Sequence, residues 1–163
     1  MYHNKQIREP KWKSWIIETN TPLFTPEQCR EIIKVGRSQP PKTAEVGTKP
    51  GGVVDTQKRV TTISWIPFQA LPPMYDALDT FIQKANLNHF GFDDVRLTEQ
   101  AQFTEYPEGG FYDWHMDADT FMAHEPPVRK ISMTLLLNDP SEFEGGDLEL
   151  LRPHNFKPLK QGH

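Results

Sequence analysis

A series of short apolar segments in the second half of the chain, separated by turn residues, constrains the fold most. Residues 95–105 alternate apolar and polar side chains with a period of two, and residues 130–137 form a strongly apolar segment. Asn138-Asp139-Pro140 ends that segment, and Gly145-Gly146 introduces a third, residues 147–151. Alternation of this kind is typical of half-buried strands, and Asn, Asp, Gly and Pro favour turns. We therefore expect closely spaced antiparallel strands.

The first half of the chain carries helix signals. Thr25 is placed to cap a helix, Pro26 suits its first position, and Gln28 completes a capping box, which predicts a helix that ends near Gly36. Apolar residues at helical spacing predict a second helix over residues 74–85.

Two strands are expected in this half, over residues 12–17 and 59–66. Helices and a few strands followed by close strands predict a mainly β protein with flanking helices (α+β). We expect one domain, 1–163, in which residues 1–94 support a β core at 95–163.

Composition excludes some classes of partner. The net charge is −4 with scattered basic residues, so we expect no nucleic-acid partner. No apolar run approaches the ~18 residues of a membrane span, and the first ten residues hold no apolar leader. We expect no membrane partner and a cytoplasmic location. Cys29 is the sole cysteine, and its helical setting favours a buried, inert thiol.

His115 and Asp117 are the candidate metal ligands. Residues two apart on extended backbone point to the same side, so an imidazole nitrogen and a carboxylate oxygen could reach one ion. Non-haem Fe(II) uses two histidines and one carboxylate on one face and keeps its other positions open. On the triplet alone, a surface turn with a polar histidine is the favoured interpretation.

The residues around this triplet resemble a known family. The run from Tyr106 through Gly109-Gly110 and Tyr112 to Asp117 is similar to the Tyr-x-x-Gly-x-x-Tyr-x-x-His-x-Asp pattern of prolyl-4-hydroxylase-type Fe(II)/2-oxoglutarate dioxygenases. Further matches follow in order: an Arg-led core strand, an acidic Gly-Gly turn and a Pro-x-x-Gly turn, at residues 129–138, 144–149 and 157–162. A looser likeness covers residues 21–29.

The resemblance implies a fold and a site. The fold of that family is a double-stranded β-helix (jelly roll). His115 and Asp117 match its first two iron ligands, and Tyr106 resembles the tyrosine whose hydroxyl binds 2-oxoglutarate. Tyr112 and Trp114 resemble residues at the mouth of the site, although plain packing explains each of them equally well.

The position expected to bind the tail of 2-oxoglutarate departs from the family pattern. The family often has a tyrosine at the position of Leu136, which leaves Thr134, on the same face of the expected strand, as a candidate for binding 2-oxoglutarate. Arg129 and the Gly145-Gly146 pair are interpreted as structural.

The third iron ligand of the family is also missing. That histidine, and the Arg or Lys that pairs with 2-oxoglutarate, come well after the turn at Gly162, whereas the sequence ends at His163. His124 follows Asp117 too closely, and His154 is interpreted as a turn residue. We expect a C-terminally incomplete domain that lacks its last strands, with weak iron binding.

The function implied by the resemblance is hydroxylation. Fe(II) and 2-oxoglutarate, with L-ascorbate as a further candidate cofactor, would oxidise a peptidyl substrate, prolyl included, or a small molecule, with release of succinate and CO2. Loops 38–58 and 118–128 are candidates for substrate contact. The alternative is a non-catalytic jelly-roll module with an incomplete metal site. A cupin-type enzyme would need more histidines near the motif. Substrate identity and oligomeric state stay open.

Overall fold

The structure, a computed structural model, describes residues 14–44, 54–117, 128–150 and 158–163. Its elements, in chain order, are α1 (Pro26–Arg37), β1 (Lys42–Thr43), β2 (Arg59–Val60), β3 (Thr62–Ile66), α2 (Pro72–Ala85), β4 (Ala101–Glu105) and β5 (Phe111–Tyr112). A π-helical turn at Asn86–Phe90 continues α2, and a 3-10 turn spans Pro140–Glu142.

Helix α1 begins as its sequence predicts. The amide of Gln28 donates to the Thr25 hydroxyl at 3.3 Å, and the amide of Thr25 donates to the Gln28 side chain at 2.8 Å. This capping box satisfies amides that have no partner within the helix. The helix ends at Arg37, one residue beyond Gly36. Its buried face carries Cys29, as expected, and burial raises the pKa of that thiol while the charge of Arg30 opposes the shift.

The described strands form two small antiparallel sheets. One has the order β1-β3-β4, with Thr62 opposite Glu105 and Ile66 opposite Ala101. The other pairs β2 with β5 and sets Arg59 opposite Tyr112. The predicted strand at 59–66 is therefore divided at Thr61, where the chain passes from one sheet to the other. This division brings β5, which leads into the His115 motif, beside β2.

The core lies between the two helices and the three-stranded sheet. Its buried side chains are Phe24, Cys29, Ile32, Ile66, Met74, Tyr75 and Phe103. The Tyr75 hydroxyl donates to the carbonyl of Ile66 and accepts from the amide of Ala101 at 2.8 Å, which ties α2 to both β3 and β4. Such bonds satisfy polar groups that burial would otherwise leave unpaired.

Gly36 gives a first prediction. A Cβ at this position would overlap the ring of Phe103, so Gly36→Ala should overpack the contact between α1 and β4. Overpacking costs about 1–3 kcal/mol, whereas the higher helix propensity of Ala returns at most about 1 kcal/mol. We expect a loss of about 1–2 kcal/mol in the free energy of unfolding, measured by urea denaturation. Exposed Lys34→Ala should change it by less than about 0.5 kcal/mol, and equal changes would contradict this prediction.

Several of the predicted strands were wrong. Residues 14–17 and 147–150 form no strand, residues 95–100 precede β4 as a loop, and residues 130–137 have no ladder partner among the described residues. In segment 130–137 Ser132 and Thr134 are exposed, and the half-buried side chains are the apolar ones: Ile131, Met133, Leu135, Leu136 and Leu137. The apolar character of this segment therefore correctly predicted its partial burial. A strand, however, also needs a neighbouring backbone for its N–H and C=O groups.

The turn before His163 joins distant parts of the chain. The carbonyl of Gly162 accepts from the amides of Leu23 and Phe24 at 2.7 and 3.3 Å, and the amide of Gly162 donates to Leu136 at 2.8 Å. The start of α1 and segment 130–137 therefore meet at this turn. Small antiparallel sheets with two helices are compatible with the expected β-rich fold, and closure into a jelly roll stays a prediction. No helix within the described ranges is long and apolar enough to cross a membrane.

Candidate metal centre

The candidate site begins at the end of β5. The amide of Asp113 donates to the carbonyl of Lys58 at 2.8 Å, which extends the β2–β5 pairing by one residue. The Asp113 carboxylate then accepts from the amide of Trp114 at 2.8 Å. The chain therefore leaves the sheet in a turn that the Asp113 side chain stabilises, and His115 and Asp117 follow directly.

The two predicted metal-ligand side chains meet. His115 Nε2 lies 3.2 Å from Asp117 Oδ1. With metal–ligand bonds of about 2.1 Å, two neighbouring ligands at right angles on an octahedral ion lie about 3.0 Å apart. The nitrogen and the oxygen are thus spaced to share one ion, and an imidazole with a carboxylate is a donor pair that suits non-haem iron.

A backbone carbonyl selects the tautomer of His115. Its Nδ1 lies 2.8 Å from the carbonyl oxygen of Asp113, and a carbonyl can only accept, so Nδ1 carries the proton. Nε2 is then the nitrogen that can face a metal with a lone pair.

Both donor side chains are accessible from solvent. The side chains of His115 and Asp117 are 37% and 52% exposed. No third His, Cys, Asp or Glu joins them within the described ranges. His163 lies elsewhere, with Nδ1 2.9 Å from the Thr19 hydroxyl. His124 and His154 lie outside the described residues, as do loop residues 118–127 and 45–53.

An aromatic ring covers one face of the imidazole. The rings of Tyr112 and His115 stack with centroids 3.6 Å apart and planes 12° from parallel. On the Tyr112 ring, the guanidinium carbon of Arg59 lies 4.3 Å from the centroid. The family resemblance places Tyr112 at the mouth of the site, with plain packing as the equal alternative, and it gives Arg59 no role. Arg59 and Tyr112 come together because β2 pairs with β5, and no local sequence pattern predicts that pairing.

A second arginine holds the backbone of the other ligand. Arg129 donates to the carbonyl of Asp117 at 2.9 Å and to the carboxylate of Glu99 at 2.6 and 3.1 Å. It was interpreted as a structural residue at a strand end. The described contacts give it a definite structural role, since it links the metal-ligand turn to the loop that precedes β4.

For the remaining predicted site residues, Tyr106, Trp114 and Thr134, no side-chain contact with His115 or Asp117 is seen among the described residues. Tyr106 and Trp114 are 54% and 57% exposed, and Thr134 is exposed on segment 130–137. Partial burial raises the pKa of Tyr106, the charge of Arg59 lowers it, and Tyr112 raises it. With its pKa raised overall, the Tyr106 hydroxyl keeps its proton at neutral pH and can donate a hydrogen bond.

The structure brings a nitrogen and an oxygen donor together beside a small antiparallel sheet, a donor pair that suits non-haem iron. Comparison with known proteins agrees with this interpretation. The model of the 2OG-Fe(II) oxygenase superfamily matches residues 101–162, which include both donors. A PKHD-type hydroxylase of Acidovorax ebreus (strain TPSY) is 31% identical over 68 residues. Both matches support the predicted likeness of residues 101–162 to prolyl-4-hydroxylase-like 2OG-Fe(II) oxygenases.

The extent of these matches is limited. The alignment with the hydroxylase covers 40% of this chain and 30% of that protein, so the chain spans about a third of its relative. No solved structure matches the chain significantly. The likeness to the family is therefore limited to the segment that carries the candidate site, and the activity of the whole protein is a proposal.

Proposed function

We propose that this chain carries the first two iron ligands of an Fe(II)- and 2-oxoglutarate-dependent dioxygenase. The substrate would be a peptide, prolyl peptides included, or a small molecule. One observation carries the proposal: His115 Nε2 and Asp117 Oδ1 lie 3.2 Å apart within the segment that matches the oxygenase family.

His115, Asp117 and Arg129 have different proposed roles. His115 holds the ion through Nε2, and its bond to Asp113 keeps the imidazole oriented. Asp117 adds a negative charge that favours a divalent cation, and Arg129 anchors its backbone. Iron and 2-oxoglutarate, once bound, would supply the reaction of 2-oxoglutarate, dioxygen and substrate that gives succinate, CO2 and hydroxylated substrate, in which one oxygen atom enters succinate and the other the new hydroxyl group. The protein contributes the orientation of the reacting groups.

Two hydroxyl groups are proposed to orient the cosubstrate. The Tyr106 hydroxyl, protonated at neutral pH, would donate to an oxygen of 2-oxoglutarate, and Thr134 would contact its tail. Trp114, exposed directly beside His115 in the sequence, is the proposed contact for the substrate. L-ascorbate is a candidate additive for the assay.

The test is succinate release by the full chain with Fe(II), 2-oxoglutarate and oxygen. We expect release that depends on both iron and 2-oxoglutarate, and that increases when a substrate peptide is present. We also expect 2-oxoglutarate to bind only after Mn(II), used as a redox-silent substitute, because a 2-oxo acid needs the ion as its anchor. Binding of 2-oxoglutarate that is equally tight without metal would contradict the proposed function.

The alternative is a non-catalytic binding module with an incomplete metal site. It is favoured by one observation, namely that the described residues bring only two donors together. It predicts ligand binding without succinate release.

Three further proposals rest on composition and motif order. They are a cytoplasmic location, a single domain over 1–163 and the absence of a nucleic-acid partner.

A further inference from the structure

We propose that Arg59 is a positioning residue for the metal ligand His115 and acts through the ring of Tyr112. The inference deepens the proposed function and rests on it, because it assigns a support to the same metal site. The three groups form one layered stack: the guanidinium of Arg59, the phenol ring of Tyr112 and the imidazole of His115.

Arg59 itself is firmly held. It is only 7% exposed, and it donates from Nε to the Thr61 hydroxyl at 2.9 Å and from a terminal nitrogen to the Gln102 side chain at 2.9 Å. Because a guanidinium keeps its proton in proteins, this is a buried permanent charge. Both of these hydrogen-bond partners are neutral, and the negative face of the Tyr112 ring adds a favourable electrostatic contact.

Strand pairing sets the position of the ring. Arg59 and Tyr112 lie directly opposite each other in the antiparallel β2–β5 pair, the geometry in which cross-strand side chains contact. The imidazole and the guanidinium lie 3.6 and 4.3 Å from the centre of the Tyr112 ring, too close for both to fit on one face, so we infer that they hold the ring from opposite sides. A rotation of Tyr112 away from His115 would break the contact with Arg59 at the same time.

The imidazole is therefore restrained in two independent directions. The bond between Nδ1 and the Asp113 carbonyl acts in the plane of the ring, and the stack on Tyr112 acts perpendicular to that plane. Together they aim Nε2 at Asp117 Oδ1. Outer-shell groups that orient metal ligands typically contribute about 10–100-fold to metal affinity. Since Arg59 acts through an intervening ring, we expect the lower end of that range.

The first experiment replaces Arg59 in the full chain. Arg59→Met should weaken Mn(II) binding about 10-fold, measured without 2-oxoglutarate so that any contact with the cosubstrate cannot contribute. Arg30→Met, which removes an exposed guanidinium on α1, is the matched control and should leave the affinity unchanged. Arg59→Lys keeps the charge over the ring but cannot reach both Thr61 and Gln102, so it should fall between the wild type and Arg59→Met.

The second measurement needs no metal. Stacking on Tyr112 should shift the carbon-bound ring protons of His115 upfield in the NMR spectrum of the metal-free chain, and Arg59→Met should reduce that shift. Tyr112→Phe should keep the upfield shift and Tyr112→Leu should abolish it. A wild-type shift together with no metal binding would contradict the proposed function and leave the Arg59–Tyr112–His115 arrangement supported.

A milder variant covers the case in which Arg59→Met does not fold. Gln102 is exposed, so Gln102→Met removes one anchor of Arg59 at little risk to the fold, and it should reduce both the upfield shift and the Mn(II) affinity. Unchanged shift and affinity in folded Arg59→Met would overturn the inference. If Arg59→Met unfolds, the same unchanged values in Gln102→Met would overturn it.

Discussion

Replacing His115 by Ala should abolish measurable binding of Mn(II) and, with it, iron-dependent succinate release. The described residues offer two protein donors to the ion, so the loss of one removes half of the described donor set. The loss should exceed the ~10–100-fold that outer-shell partners cost. Asp117→Asn should have a similar effect, because a neutral amide replaces the carboxylate charge. Electron paramagnetic resonance of Mn(II) titrated into the chain measures both.

The control for this prediction is a histidine elsewhere on the surface. His89→Ala changes an exposed histidine on the π-helical turn, away from β5, and should leave Mn(II) binding unchanged. Equal loss in both variants would indicate non-specific binding to surface histidines. Full binding by His115→Ala would refute the proposed metal site, whatever the control showed.

The proximity of the His115 and Asp117 side chains could be predicted from local sequence, whereas their interpretation as iron ligands came from the resemblance of the surrounding motifs. Both residues lie in one short motif, and their convergence depends mainly on the backbone between them. Arg59 could not be found in this way, because it lies 53 residues before Tyr112, as the numbering shows. Its contact with that ring follows from strand register, which a single sequence does not reveal.

The elements of the fold show the same contrast between local and distant determinants. Helix α1 was predicted almost to the residue because its cap is made by Thr25 and Gln28, three positions apart. Strands were overestimated because alternation reports burial on one side, whereas a ladder depends on a partner from elsewhere in the chain. Segment 130–137 shows the difference. Its apolar side chains are half-buried, but within the described residues its backbone bonds are those of Leu136 and Leu137 with the Gly162 turn.

Replacing Gly162 in that turn by Ala should cause a large loss in the free energy of unfolding. Gly162 has φ +78°, which costs an L-residue about 1–2 kcal/mol, and a Cβ there would overlap the carbonyl of Phe24. Relieving the overlap should break the bonds to Leu23 and Leu136, at about 1 kcal/mol each. We expect a total loss of about 3–4 kcal/mol in unfolding free energy, or roughly 6–16 °C in Tm for a chain of this size.

Gly145→Ala separates the two causes of this loss. Gly145 has nearly the same backbone conformation, φ +71°, but a Cβ there would meet nothing within 4 Å. It should therefore lose only the ~1–2 kcal/mol of the backbone penalty. The difference between the two variants, measured by urea denaturation, reports the docking of the Gly162 turn onto Phe24. Equal losses would mean that this turn does not hold the start of α1 and segment 130–137 together.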